Sequence, residues 1–419
     1  MKEQESRAKK NQNPMNILFM TDCFLPHAGG SRIYYYNLYS HMRDVYPDQV
    51  TILTKKVPGW EQFDATASYD ALRIVRHFQP LKDLSPLELP KAVFPLVEAV
   101  ARVLSRKTDL IHAGDLYPPG MISLWLKRIV GIPYLTFCHG EDVTLTERYQ
   151  YQRVMRNRIY KSADAVVAAC EFAKQELLQI GVPENKIVKI MPGVDWKRFF
   201  PRPATEALVR KYGLENRRVL LTIARLTPRK GHATVLRALA KVLHSLPDTT
   251  YLIVGKGGER ERLEQLAAEL GISHAVRFVG YVPEKDLADF YNLCNAFVMM
   301  NHEENGDIEG FGMVFLEASA VGKVVIGGRS GGTSDSVEHG KTGFLLQPDN
   351  VEELAGTLDL VLRDTELQNR LGMAGLQRAR ADFSWETRAA RLRDLSEMIV
   401  ERARTKSQPA GSVFPSSTI

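Results

Sequence analysis

Five loops of the 419-residue chain carry residue types that suit an anionic, hydroxyl-rich ligand. In Ala224-Arg-Leu-Thr-Pro-Arg-Lys-Gly-His232, Arg225 offers a planar fork and Lys230 a mobile point charge, a pair fitted to a diphosphate. Solvated loop cations are the alternative. Glu309 and Glu317 bracket Gly310-Phe311-Gly312-Met313-Val314, a spacing of a little over two helical turns. Ionised carboxylates only accept hydrogen bonds, and the vicinal hydroxyls of sugars and riboses donate them. Retaining glycosidases also use paired acids, but that chemistry depends on spatial proximity. Gly310 and Gly312 open a helix there, leaving amides for phosphate or hydroxyl oxygens. His139, in Phe137-Cys-His-Gly-Glu-Asp142, suits a polar ligand contact or an ordinary structural hydrogen bond. Gly29 and Gly30 precede a helix, where amides without a neighbouring Cβ can approach an anion, or where a turn needs positive φ. Gly255-Lys-Gly-Gly258 reads as a simple turn, because it lacks both the Rossmann spacing and the Walker lysine-serine.

Each of these loops lies between an apolar run and a helical pattern. Strands are expected at 16–21, 50–54, 72–75, 110–113, 134–138, 165–169 and 187–190. Helices are expected at 32–42, 91–104, 119–129, 149–160 and 171–180. The pattern restarts with strands at 218–224, 251–254, 276–279, 296–300, 324–326 and 343–346. Its helices fall at 231–244, 260–270, 285–293 and 311–320. Uninterrupted apolar strands alternating with helices imply parallel sheets covered on both faces. The fold class is therefore α/β, with two Rossmann-like doubly wound domains facing across a cleft. Ligands of such sheets bind beyond the carboxyl ends of the strands. The expected divisions are a tail at 1–13, domains at 14–200 and 201–384 joined near Pro201 and Pro203, a helix at 385–405, and a second tail at 406–419.

Composition excludes several classes. Hydrophobic residues at 44% and charged residues at 25% rule out wholesale disorder. No run of ~18 uncharged apolar residues is present, and Met1–Pro14 lacks a signal peptide's apolar core. Four scattered cysteines with no Cys-x-x-Cys pair point to a reducing, cytoplasmic setting without zinc. Residues 1–200 hold 27 Lys and Arg against 21 Asp and Glu, whereas 201–419 are balanced at 28 each. That excess is too diffuse for nucleic-acid recognition. It suits a phosphorylated substrate or an anionic lipid surface, with solubility as the other reading. Tyr149–Tyr160 is basic and aromatic, so peripheral contact with the inner face of a membrane is weighed against a solvated helix face.

Taken in order, these loops resemble the retaining glycosyltransferases of family four, which have the GT-B fold. The resemblance runs from Asn16 to Trp385. It is carried by Glu309-x7-Glu317, Arg225-x4-Lys230-Gly, Gly29-Gly30, His139-Gly140, Ser330-Gly-Gly-Thr333 and Gly340-x-Thr-Gly343. Glu304-Asn-Gly-Asp-Ile-Glu-Gly-Phe-Gly312 is most similar to phosphatidylinositol-mannoside mannosyltransferases that use GDP-mannose. Ser330-Gly-Gly-Thr333 departs from the commoner Gly-Gly-x-x-Glu, with Asp335 and Glu338 nearby.

The resemblance implies transfer of a hexose, mannose favoured, from a nucleotide-diphosphate sugar (GDP-mannose over UDP-sugars) to a lipid or glycan hydroxyl. Arg225 and Lys230 would hold the diphosphate, assisted by Gly29 and Gly30. Glu317 would bind the ribose, and Val282 would border the base. Glu309 and the amides of Phe311, Gly312, Met313 and Val314 would fix the donor sugar, with His139 on its other edge. Catalysis would fall to His139, Arg225, Lys230 and Glu309 by a front-face route, without metal or other cofactor. The final helix would cross back onto the first domain. A sugar-nucleotide epimerase and a non-catalytic sugar-nucleotide-binding protein are the alternatives.

Overall fold

The computed structural model describes residues 13–407 except 23, 27–28, 67–71, 79–96, 98, 104 and 106. Aliphatic and β-branched runs become strands buried on both faces: Leu110–Ala113, Tyr134–Cys138 and Ala165–Ala168 are covered at every position. Each fully buried Val, Leu or Ile contributes about 1.5–3 kcal/mol.

The first sheet holds β1 (Asn16–Thr21), β2 (Gln49–Lys55), β3 (Leu72–Phe78), β4 (Leu110–Ala113), β5 (Tyr134–Cys138), β6 (Ala165–Ala168) and β7 (Ile187–Lys189). Among the described residues its order is β3-β2-β1-β4-β5-β6-β7, and all the pairings are parallel. The second holds β8 (Arg218–Ile223), β9 (Thr249–Val254), β10 (Val276–Gly280), β11 (Ala296–Met299), β12 (Val324–Gly328) and β13 (Gly343–Leu346). Its order, β10-β9-β8-β11-β12-β13, is again parallel. The order in which successive strands are added reverses at β1/β4 and β8/β11. Such switch points open a crevice at the strands' carboxyl ends. The loops after β1, β8 and β11 carry Gly29–Gly30, Arg225–Lys230 and Glu309, respectively.

The two sheets share an apolar cluster running from Leu18 and Tyr134 through Val194 and Phe199 to Phe297 and Phe315. The segment after β7 and the segment before the last helix lie side by side, with Val194 N donating to Phe383 O at 2.9 Å. The helix Trp385–Ser407 then packs on the helix Gly30–Val45, burying Leu392, Leu395, Ile399 and Val400. Arg393, fully buried on that helix, lies 3.2 Å from Asp48 and also pairs with Glu397. Ser396 Oγ is 3.1 Å from His112 Nε2.

Several local expectations change. Two helices at Val351–Arg363 and Thr365–Asp382 fill a stretch where none was expected. Their cap residues were legible: Asn350 accepts from Glu353 N at 3.1 Å and Asp364 from Leu367 N at 2.8 Å. Short helices at Trp60–Thr66 and Glu206–Tyr212 were also missed. The helix expected from Phe311 begins at Met313, because Gly312 takes a left-handed conformation (φ 79°) that favours glycine. Of the helix expected at 91–104, residues 99–103 are helical and most of the rest lies outside the described residues. The tails expected at 1–13 and 406–419 also lie outside them, except for Asn13 and residues 406–407, which end the last helix.

Candidate active site

From β8 the chain passes Arg225 and tightens into a 3-10 turn, Pro228–Lys230, ahead of the helix His232–Val242. That turn buries Arg229 and Lys230. From β11 it makes a turn in which Glu304 and Asp307 exchange two backbone hydrogen bonds of 2.9 Å, and then reaches Glu309. The two loops meet. Lys230 Nζ donates to Glu309 Oε2, and Arg229 Nη1 donates to the same oxygen at 3.0 Å. Arg229 Nε lies 2.9 Å from Asp307 Oδ1. Burial alone would raise the Glu309 carboxyl, but the Lys230 and Arg229 cations hold it below the usual range. Glu309 is therefore a half-buried, ionised acceptor, its side chain 14% exposed. Removing one partner of such a largely buried pair typically costs about 3–5 kcal/mol.

The Ser330–Thr333 segment supports Glu309 from behind: Gly332 N donates to Glu309 O at 2.9 Å. A Cβ on Gly332 would sit 1.9 Å from the Gly310 carbonyl oxygen, so only glycine permits that approach. Gly255–Gly258 is a turn under the Arg225 loop, with Leu226 N donating to Lys256 O at 3.0 Å.

His139 follows β5, and its carbonyl borders Gly310 across the crevice: a Cβ on Gly310 would lie 2.7 Å from the His139 oxygen. Tyr35 OH gives its only proton to Gly114 O. His139 Nε2 must then donate to Tyr35 Oη at 2.7 Å, which leaves Nδ1 as the acceptor. Burial depresses the His139 pKa, so the ring is neutral. Asp142 accepts from His139 N at 2.7 Å and fixes the loop. Burial pushes the Glu141 and Asp142 carboxyls up to about 7 each.

Glu317 lies one turn into the helix Met313–Ala320, rather than two, and is buried. Its Oε2 accepts from Tyr291 OH at 2.7 Å, and burial raises its carboxyl to about 7. Glu309 and Glu317 thus belong to separate hydrogen-bond networks. Phe311 is buried, while Met313 and Val314 are half-buried at the helix start. Val282 packs half-buried just beyond β10. Arg225 is exposed, and its side chain has no hydrogen-bond or ion-pair partner among the described residues. Gly29 is extended (φ 164°), so the pair forms no positive-φ turn, and a Cβ on Gly30 would meet nothing within 4 Å. No hydrogen bond among the described residues links Gly29 or Gly30 to the Lys230–Glu309 cluster. They reach the site through Tyr35, on the helix they open.

Across the crevice Thr144 Oγ1 donates to Gly306 O at 2.6 Å, and Glu171 N donates to Asp335 Oδ2 at 2.5 Å. Lys189 Nζ is 3.5 Å from Asp335. Asp335 thus caps the first domain's helix Glu171–Gln179, whereas Glu338 pairs with Arg378 at 2.8 Å. Sequence reasoning passed over Arg229, Asp307, Tyr35 and Thr144. Arg229 had one visible signal, a second cation beside Lys230; the others had none, because their partners are distant in sequence. Among the described residues no group of three or more His, Cys, Asp or Glu is placed to hold a metal ion. No helix among them is long and apolar enough to cross a membrane.

Two parallel doubly wound sheets facing across a crevice, with cations from the loop after β8 on a carboxylate from the loop after β11, have the GT-B architecture. Residues 28–198 match glycosyltransferase family 4, and residues 205–378 match the glycosyl transferases group 1. A GDP-mannose-dependent alpha-(1-6)-phosphatidylinositol monomannoside mannosyltransferase of Mycolicibacterium smegmatis is 30% identical over 384 residues, 90% of this chain and 97% of that protein. A D-inositol 3-phosphate glycosyltransferase of Corynebacterium jeikeium is 28% identical over 410 residues, 92% and 95% of the two chains. The crystal structure of Anabaena HepE with UDP and glucose superimposes with a TM-score of 0.76 at 22% identity, covering 92% of this chain and all of that one. The chain belongs to the family 4, group 1 glycosyltransferases, and is a hexosyltransferase that takes its sugar from a nucleotide sugar.

Proposed function

We propose that the enzyme is a retaining mannosyltransferase that moves mannose from GDP-mannose to a hydroxyl of a lipid or glycan acceptor. The observation that carries this is the meeting of Lys230 with Glu309, 79 residues apart, in the crevice between the sheets. The mycolicibacterial relative, named for GDP-mannose and a phosphatidylinositol mannoside, supplies the choice of donor and acceptor class.

The acceptor oxygen attacks the anomeric carbon on the face from which the diphosphate leaves. The bond from that carbon to the phosphate oxygen breaks, and the departing phosphate takes the acceptor's proton. Arg225 and Lys230 neutralise the growing negative charge, a contribution of several kcal/mol for preorganised donors, aided by the Gly29 and Gly30 amides once the crevice closes. Glu309 and the amides of Phe311–Val314 hold the sugar hydroxyls. His139 accepts one through Nδ1. Glu317 takes the ribose and Val282 borders the base. No divalent metal takes part, and activity is expected to survive EDTA.

Purified protein is incubated with GDP-mannose, GDP-glucose or UDP-glucose and phosphatidylinositol, its mannosides or simple glycans. Products are read by mass spectrometry and by the one-bond carbon–proton NMR coupling at the anomeric centre. An α-mannosylated acceptor supports the proposal. An isomerised donor means an epimerase, tight binding without turnover means a sensor, and a β-linked product refutes retention.

Peripheral contact with anionic membrane is part of the same proposal. Tyr149 and Tyr151 are 62% and 68% exposed beside Arg153, and the neighbouring helix Met121–Val130 exposes Trp125 and Ile129. Flotation with anionic liposomes at low salt tests it, and absence of binding refutes it.

A further inference from the structure

The loop Glu304–Gly310 touches three things at once. Gly306 O accepts from Thr144 of the first domain, Asp307 meets Arg229, and Glu309 meets Arg229 and Lys230. One carboxylate therefore has two cations, yet the reaction proposed above assigns one of them, Lys230, to the diphosphate. A lysine on a flexible stem can change partners. Arg229 cannot readily do so: its side chain is only 7% exposed and its guanidinium is shared between two carboxylates.

We propose that Arg229 is a positioning residue for Glu309, holding its carboxylate on the donor sugar once Lys230 has moved to the diphosphate, with Asp307 and Thr144 tying that grip to contact between the domains. The proposal rests on the glycosyltransferase reading of this site. Without donor, Lys230 occupies Glu309 and keeps it neutralised. Donor arrival draws Lys230 onto the phosphates and frees one lone-pair region of Glu309 for a sugar hydroxyl. Arg229 stays, so the carboxylate keeps one cation and one direction. The Thr144–Gly306 bond exists only when the two domains touch. That contact steadies Asp307, and through it Arg229.

The charged groups facing Glu309 are Lys230 and Arg229. Arg229 also faces Asp307 and Glu141, Lys230 faces Arg225, and His139, with Asp115 and Glu141, lies opposite. In Arg229→Met with donor bound, burial acts on Glu309 with its remaining cation engaged on phosphate. Its protonation then reaches into the working pH range.

The test uses the full chain as wild type, Arg229→Met, Arg229→Lys and Asp307→Asn, with GDP and GDP-mannose (UDP and UDP-glucose as the control pair). Affinity is measured by calorimetry and transfer kinetics from pH 5.5 to 8.5. Arg229→Met should bind GDP within about threefold of wild type but lose the extra affinity that the sugar confers. Its kcat should fall by about tenfold or more, with the acid limb of the kcat profile, which reports the donor-bound enzyme, moved up by about one pH unit. Arg229→Lys should recover most of the loss, and Asp307→Asn should show a milder form of it. A Met variant with an unchanged sugar increment and acid limb overturns the proposal, as does one that loses GDP and GDP-mannose affinity equally. Should the Met variant fail to fold, the Lys and Asn variants decide on the same two readouts. If wild type binds neither pair, the function reading fails instead.

Discussion

Glu317→Gln separates two consequences of burying one carboxyl. The wild-type group sits at about 7 in the folded protein against 4.5 for an ordinary glutamate, because burial disfavours its charge. At roughly 1.4 kcal/mol per pH unit the gap is worth about 3 kcal/mol. The folded pKa is the higher one, so between pH 4.5 and 7 the native state holds a proton that the unfolded chain has lost. The group's contribution to stability is complete below pH 4.5 and lost as pH rises through 7. The substituted glutamine can accept the Tyr291 hydroxyl through its amide oxygen but has no proton to lose. Urea denaturation at pH 5 and pH 8 should therefore show the variant gaining about 2.5 kcal/mol on wild type between the two. Glu141 and Asp142 titrate in the same window, but subtracting wild type from variant removes their shared contribution. Ribose hydroxyls favour the charged form, so donor binding to wild type near pH 6.5 should release a proton, seen by calorimetry in buffers of different ionisation enthalpy. The Glu317→Gln variant should release less. A variant-minus-wild-type difference constant within about 0.5 kcal/mol from pH 5 to 8 refutes the reasoning.

Lys230→Ala should lower kcat/KM roughly a hundred- to a thousandfold while the far-ultraviolet spectrum stays native, since the leaving diphosphate loses a preorganised cation. Arg225→Ala, at an exposed position, should weaken nucleoside-diphosphate binding by roughly tenfold or more in a direct titration. Arg393→Met strands Asp48 in the core and should cost about 3–5 kcal/mol in chemical denaturation. Adding Asp48→Asn should restore part of that loss, and strict additivity of the two would count against a coupled pair. Asp335→Ala removes the cap that the second domain places on the helix Glu171–Gln179. X-ray scattering from the free variant should show a larger radius of gyration, and an unchanged radius would mean the contact does not hold the domains together.

The chain's one-dimensional pattern determined the α/β class, the two parallel sheets and the family. Buried parallel strands need uninterrupted apolar runs, and glycine-rich loops after them leave a periodic trace that a linear reading captures. The motif loops were legible for the same reason: Arg225, Lys230, Glu309 and His139 lie in loops after strand ends, and Glu317 lies one turn into the helix that follows its loop. The helices Val351–Arg363 and Thr365–Asp382 were readable from Asn350 and Asp364 but went unread, because the strand-and-motif pattern had already run out. Partnership was left to tertiary structure. Only the folded chain sets Arg229 and Lys230 on one oxygen of Glu309, sends Glu317 to Tyr291 instead, and locks the His139 tautomer through Tyr35 and Gly114. Those choices depend on distance and burial between residues tens to hundreds of positions apart. Coulombic and desolvation energies follow spatial separation and solvent access, and neither is written in the order of the letters.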